Sequence, residues 1–379
     1  MSNDYEILDT RSGLRAAVPF LEKEDTVAVD LEADSMYHFQ EKVCLIQMAT
    51  KRDSFVIDPL QIKDLSPLNS LFLRQDIRKV FHGADYDIRS LYRDFKIAVN
   101  NLFDTELACR FLGIRETGLE AVLKKFFNIN LDKKYRKKDW SKRPLPREMM
   151  DYAAIDVKYL LPLHDILEKD LDRNGRRPWL DEEFEYLSSV RPALPDNAPL
   201  FMKFKGAGRL KPRSLAVLEG LLQFRKRIAE EKDKPLFKVF GNAPLMKIAM
   251  ASPPTVAHLK DLKIISQKQL SMYGTDLVET VITALKTPEN RLPSYPKKKA
   301  PVRSPEVPKR LKVLKKWRDK RAEELGLDPA ILCNKAILTA IAVNNPSSIK
   351  HLEAIEDMKR WQRTSFGEDI IAVLKADNA

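Results

Sequence analysis

The amino-acid sequence predicts a mixed α/β domain followed by two small all-α domains. Up to about residue 170, short β-branched runs alternate with longer stretches of helical periodicity; from Lys203 onward the β signal vanishes. The helical remainder also contains an internal repeat. At 379 residues, 44% of them hydrophobic, the chain has room for two or three domains of roughly 100 to 200 residues, each with its own core.

TVAVDLE (26–32), VCLIQMAT (43–50) and SFVIDP (54–59) read as neighbouring strands with short connections, so the sheet is expected to begin as an antiparallel meander. KVFHG (79–83) is a fourth strand. Asp85 then opens DYDIRSLYRDF, where Ile88, Leu91, Tyr92 and Phe95 recur at helical spacing and Asp85 is the expected N-cap. NLFDT (101–105) is a further short strand, and TELACRFLG and LEAVLKKFF follow as helices. A basic stretch leads into a long helix from Pro146, expected to bend at Pro162.

The repeat emerges when the two helical segments are aligned without gaps at an offset of 93 residues. FRKRIAEEKDK from Phe224 then matches WRDKRAEELGL from Trp317, and Ala243, Leu245, Ile248, Pro253, His258 and Leu259 fall on Ala336, Leu338, Ile341, Pro346, His351 and Leu352. Such a period is too long for a solenoid unit, so it marks two copies of one helical domain. Phe224, Trp317, Leu245 and Leu338 are expected core anchors, and the two histidines share a structural role. The Pro-rich stretch 287–308 between the copies reads as a linker.

Composition narrows the function classes. The three cysteines are scattered without metal-type spacing, which excludes a disulfide framework or zinc ribbon and suits a reducing, cytoplasmic setting. The polar, acidic first residues do not resemble a secretory signal, and the longest apolar run, AILTAIAV, is far short of the roughly 20 residues needed to cross a bilayer. A formal charge of +12 favours a polyanionic partner, nucleic acid first. Oligomeric state is not readable.

Three constellations carry chemistry. Asp30 and Glu32, two apart on one strand, would project from the same face as paired carboxylates, which repel unless a cation neutralises them. Asp87 lies in the turn where a buried strand gives way to a helix, the kind of place where α/β sheets bind ligands. Tyr152 and Asp156, at i and i+4, share one helix face, with the small Ala153 and Ala154 between them. If the sheet end and the helix face each other, four acids and a tyrosine converge. Oxygen-only donors suit Mg²⁺ or Mn²⁺, and two such ions can stabilise the attacking and leaving oxygens of a phosphodiester hydrolysis.

VAVDLEADS with LIQMAT, VFHGADYDIRSL, FDTELACRFLG, KKDWSKRPL and DYAAIDVKYLLPL together resemble, in order and spacing, the signature blocks of the ribonuclease D group of DEDD 3′-to-5′ exonucleases, tyrosine subclass. That resemblance implies an RNase H-like exonuclease domain at 1–195, a first HRDC domain at 205–288, a Pro/Lys-rich linker at 289–305 and a second HRDC-like domain at 306–379. It also implies that Asp30, Glu32, Asp87 and Asp156 hold two divalent ions, Mg²⁺ or Mn²⁺, and that Tyr152 orients or helps deprotonate the attacking water. The activity implied is trimming of RNA 3′ ends, such as those of transfer RNA precursors, with release of nucleoside 5′-monophosphates. Where the family often has Gln and Ser before Asp-Trp, this chain reads KKYRKK. His82 reads as a strand-end residue packed near the site.

That basic run, with Lys133, Lys137, Lys138 and Arg143 interleaved by Trp140, is expected to form a phosphate-tracking wall whose aromatic ring stacks on bases. A second basic run, from Lys297 to Arg318, offers either nucleic-acid contact or a flexible connection. A DNA exonuclease and a noncatalytic RNA-binding protein are the alternative readings. No membrane partner is expected.

Overall fold

The computed structural model describes residues 5–194, 196–296 and 304–378. Its apolar runs, too short for helices, form one mixed sheet: β1 (Glu6–Leu8), β2 (Thr26–Ala33), β3 (Val43–Ala49), β4 (Ser54–Ile57), β5 (Arg78–Phe81) and β6 (Leu102–Asp104), in the order β1-β4-β3-β2-β5-β6. β2 to β4 pair antiparallel as the expected meander, while β5 and β6 add in parallel on the other side of β2. The short edge strand β1, parallel to β4, has no signature in the sequence beyond three residues of mixed polarity.

Helices cover this sheet: α1 (Arg11–Leu21), α2 (Pro67–Leu73), α3 (Asp85–Phe95), α4 (Thr105–Phe111), α5 (Leu119–Phe127), α6 (Arg147–Lys158), α7 (Leu160–Arg173) and α8 (Arg177–Ser189). Two local expectations change. Asp85 does not cap α3; it is the first helical residue and pairs with Arg89, while Ala84 holds the cap position. The amides there are satisfied from outside the helix, by Asp104 at the end of β6, which accepts from Gly83 N and Ala84 N at 2.9 Å each. The long helix after Pro146 breaks at Tyr159, three residues before Pro162, so that the proline falls in the first turn of α7, where its missing N–H costs least.

The described chain forms two compact units. One comprises residues 34–42 and 193–301, and the other the remainder of the α/β part together with residues 302–379. In the first, α9 (Pro212–Glu231), α10 (Leu236–Val239), α11 (Asn242–Ala251), α12 (Val256–Asp261) and α13 (Gln267–Leu285) enclose Phe224 and Leu245. The β2–β3 connection belongs to this unit: Asp233 accepts from Phe39 N at 3.0 Å and meets His38 Nδ1 at 2.6 Å.

In the other unit, α14 (Val307–Leu325), α15 (Pro329–Leu332), α16 (Lys335–Asn344) and α17 (Arg360–Asn378) share one hydrophobic core with the α/β layer. Trp361 stacks on Trp179 of α8 at 5.0 Å, and Glu182 accepts from the free amides of Arg360 and Trp361 at 2.8 Å, satisfying the start of α17. The repeat persists at the level of single bonds. Arg225 donates to Phe240 O and Arg318 to Cys333 O, each at 3.1 Å and each pair 93 residues from its counterpart. Lys297, Lys298, Lys299 and Arg303 of the second basic run lie outside the described residues.

Gly113 tests how closely α14 is docked. Its φ is +79°, and an added Cβ would lie 2.2 Å from the carbonyl oxygen of Gly326, whereas Gly175, at φ +62°, has nothing within 4 Å. Gly113→Ala should therefore lose more stability in urea denaturation than Gly175→Ala, whose cost is about 1–2 kcal/mol from the left-handed backbone alone. Equal losses would show that α14 does not press on this turn.

Candidate active site

β2 lies inside the sheet, paired with β5 through Ala28 and with β3 from Ala28 to Ala33, so the stretch that carries Asp30 and Glu32 is fixed by β3. Alternation along the strand sends Asp30 and Glu32 to one face. α6 lies over that face, held by a small core in which Ala153 and Ala154 pack on Leu45 of β3 and Val56 of β4. Small side chains let the helix come close enough for its acid to reach the strand. One ligand oxygen each of Asp30, Glu32 and Asp156 lie within 4.8 Å of one another. Asp87, in the first turn of α3, is buried, and its charge acts on Glu32 and is acted on by Asp30.

Gathering these acids is electrostatically unfavourable, and their ionisation records it. Burial, opposed by the Leu31 amide, raises Asp30 to about 6. Burial and then Asp30 raise Asp156 to about 8, against a hydrogen bond from Tyr152 and the charge of Arg136. Glu32 is pushed well above the usual range by burial and by Asp30, Asp156 and Asp87, and Asp87 by burial, Asp30 and Asp104. Tyr152 is raised by burial and by Asp156, Glu32 and Asp30. Asp156 Oδ1 is buried without a hydrogen-bond partner. Clustered hard oxygen donors, mutually repelling and with an unused buried lone pair, fit a divalent cation of the Mg²⁺ or Mn²⁺ type.

The site opens into a cleft of about 990 Å³ lined by Asp30, Glu32, Tyr152 and Asp156 and, on the facing wall, by Lys124, Lys133 and Arg136. The basic loop divides into two parts. Lys133, Lys137 and Lys138 are exposed, as the sequence suggests, with Lys133 also paired to Glu120. Trp140 and Arg143 correct the expectation. Trp140 is 1% exposed and packs beside the Tyr152 ring at 6.2 Å, so it has no face to offer a base. Arg143 is committed to Asp58 through Nε at 2.6 Å and Nη2 at 2.8 Å, and to the carbonyl of Cys44. Both side chains root the loop.

Arg136, present in the basic run but not singled out there, reaches the site: its charge bears on Glu32 and Asp156. Tyr135 packs on Tyr152 at 5.8 Å. No periodicity marks these two among six adjacent cationic and aromatic residues. Asp104 was also unmarked; besides Gly83 and Ala84 it accepts from the amides of Glu106 and Leu107, fixing the turn that delivers Asp87. His82 lies on the cleft wall with Nδ1 2.9 Å from Thr105 Oγ1, and burial lowers it to about 4.

Fold and site together define a 3′-to-5′ exonuclease carrying two HRDC domains. A family model described as 3′-5′ exonuclease matches residues 5–172, and the HRDC domain model matches 214–281 and 308–374. Ribonuclease D of Bartonella henselae is 32% identical over 98% of this chain and 90% of its own length. The crystal structure of Escherichia coli RNase D covers 98% of the chain and 99% of its own at a TM-score of 0.74 and 24% identity. The catalytic core of RRP6 from Trypanosoma brucei covers 74% of the chain and 79% of its own at 0.62 and 30%. The chain belongs to the ribonuclease D family and is a 3′-to-5′ exoribonuclease. Exonucleases of this class are metal-dependent, and the acidic cluster supplies the donors.

The raised acids predict an inverse pH dependence of the metal-free protein. Between the unfolded value of 3.8 and the folded values of about 6 and about 8, Asp30 and Asp156 hold protons that the unfolded chain has released. Stability must then fall as pH rises through this window. The metal-free melting temperature should drop from pH 5 to pH 8.5, Mn²⁺ should remove most of the drop, and Asp156→Asn should raise the metal-free value at pH 8 by a few degrees, about the shift that 1 kcal/mol produces. A flat metal-free profile would show that the acids do not strain one another.

Proposed function

We propose that this exoribonuclease trims the 3′ ends of structured RNA such as transfer RNA precursors, releasing nucleoside 5′-monophosphates by hydrolysis with a pair of Mg²⁺ or Mn²⁺ ions. The approach of Asp30, Glu32 and Asp156 to within 4.8 Å beside Tyr152 is the observation that carries this reading. Asp30, Glu32, Asp87 and Asp156 hold the ions. When bound, these supply Lewis acidity at the scissile phosphate and stabilise charge on the departing oxygen.

The chain's own groups do the positioning. Tyr152, steadied between Tyr135 and Trp140, hydrogen-bonds a water for in-line attack; the bond from water oxygen to phosphorus forms as the bond to the 3′ oxygen breaks, the water releases one proton to solvent, and the 3′ oxygen takes one up from solvent. A buried, carboxylate-rich setting favours the protonated phenol, which suits orienting water over removing its proton. Lys124, Lys133 and Arg136 on the facing wall, and exposed Lys137 and Lys138 beyond, follow the phosphates of the incoming strand without reading its bases.

Relatives and neighbours support the substrate class: the Escherichia coli enzyme is described as an exoribonuclease involved in structured RNA processing. With Mn²⁺, the purified chain should release 5′-monophosphates from a precursor tRNA bearing a 3′ trailer and stop when the metal is chelated. Asp30→Asn should abolish release with the fold retained. Tyr152→Phe should lower kcat about 10²-fold with little change in KM, the scale of a lost orienting contact. Equal turnover of a matched DNA overhang would overturn the substrate assignment, and turnover retained in Asp30→Asn would overturn the site.

A further inference from the structure

Directly across the sheet from Asp30 stands a side chain that neither core nor cleft accounts for. Gln47 of β3 is the antiparallel partner of Asp30, and on its other side it pairs with Val56 of β4. Opposed residues of an antiparallel pair share a face, with Cβ atoms roughly 4.5–5.5 Å apart. Val56 packs with Ala153 and Ala154, so this is the face that α6 covers and on which Asp156 approaches Asp30. Gln47 is 0% exposed, and neither its Oε1 nor its Nε2 has a hydrogen-bond partner.

A primary amide has two donors and two acceptor lone pairs, and burying all of them unpaired is unfavourable at a position where Met or Leu would fill the same space. The flanking same-face residues of β3, Leu45 and Ala49, are apolar and offer it nothing. The one ionisable group opposite it in register is the Asp30 carboxylate.

We propose that Gln47 is a positioning residue for the metal site: unpartnered in the metal-free chain, its amide donates to the Asp30 carboxylate opposite it when a divalent ion is held, and so orients that ligand. Carboxylate ligands are held in this way by outer hydrogen-bond partners, whose loss weakens metal binding about 10- to 100-fold. The proposal rests on the reading of Asp30 as a metal ligand, and the experiment separates the two.

Mn²⁺ titration calorimetry and metal-free thermal melting would be run on the wild-type chain and on Asp30→Asn, Gln47→Met and Gln47→Leu. The expected result is that both Gln47 variants lose about tenfold or more in Mn²⁺ affinity, while their metal-free melting temperatures stay the same or rise, because an unpaired buried amide has been replaced by an apolar side chain. Wild-type affinity in Gln47→Met and Gln47→Leu would overturn the positioning role while leaving the metal site intact. Loss of the folded state in both variants would overturn it too, by assigning Gln47 to the core. A wild-type chain that takes up no Mn²⁺, and is indistinguishable from Asp30→Asn, would instead remove the metal-site reading and the proposal with it.

Discussion

Four carboxyl groups that repel one another must be held in one partly buried place, and much of the α/β layer is arranged to withstand that repulsion. Asp30 and Glu32 cannot retreat because β2 is bonded to β3 along their stretch and to β5 just before it. Asp156 cannot retreat because α6 is seated through Ala153 and Ala154 on the sheet. Asp87 is delivered by a turn whose amides are gripped by Asp104, itself buried and raised above its ordinary pKa by that burial. The energy stored in this arrangement is available to a cation: each proton displaced by an ion relieves a carboxylate that folding has made reluctant to ionise. Stability of the empty site and affinity of the filled one are thus opposed quantities, set by the same distances.

The basic loop shows the same division between anchoring and use. Its Asp-Trp end is interior: Trp140 packs beside the Tyr152 ring and Arg143 forks onto Asp58. Its crest is exposed, carrying Lys133, Arg136, Lys137 and Lys138. A crest without such a root would sample many positions; one rooted beside Tyr152 keeps its cations next to the acidic cluster. Arginine suits the root because its planar fork meets both Asp58 oxygens through two nitrogens while still donating to the Cys44 carbonyl, a two-pronged match that a single ammonium does not make.

Much of this was legible in the sequence. The meander, the pairing of Asp30 with Glu32 and the i, i+4 relation of Tyr152 to Asp156 follow from periodicities of two and 3.6, and they need only one further fact, that α6 crosses β2. What was not legible depended on contacts distant in sequence. Asp85 has every local mark of an N-cap, yet the amides are taken by Asp104, 20 residues on, a choice that only the pairing of β5 with β6 makes available. Trp140 and Arg143 have the composition of a nucleic-acid surface, and burial, a property of the fold, decides otherwise. Gln47 looks like one polar residue in an apolar strand until the register sets it opposite Asp30.

The helical repeat shows how one motif is turned to two uses by a single position. The residue just past the first helix of each copy, Asp233 after α9 and Gly326 after α14, takes a left-handed backbone, at φ 44° and φ 64°. In the first copy that residue carries a carboxylate, which reaches out to His38 and Phe39 in the segment linking β2 to β3. In the second it is a glycine whose carbonyl oxygen lies so near Gly113, at the end of α4, that a Cβ on Gly113 would come within 2.2 Å of it, while a Cβ on Gly326 itself would meet nothing within 4 Å. Asp tolerates the left-handed conformation because its short polar side chain can bond locally, and Gly because it has none. The same turn therefore serves as a hook in one copy and as a flat seat in the other. Exchanging the two residues would remove from the first copy the carboxylate that holds His38 and Phe39, so the copies are not interchangeable despite their shared register.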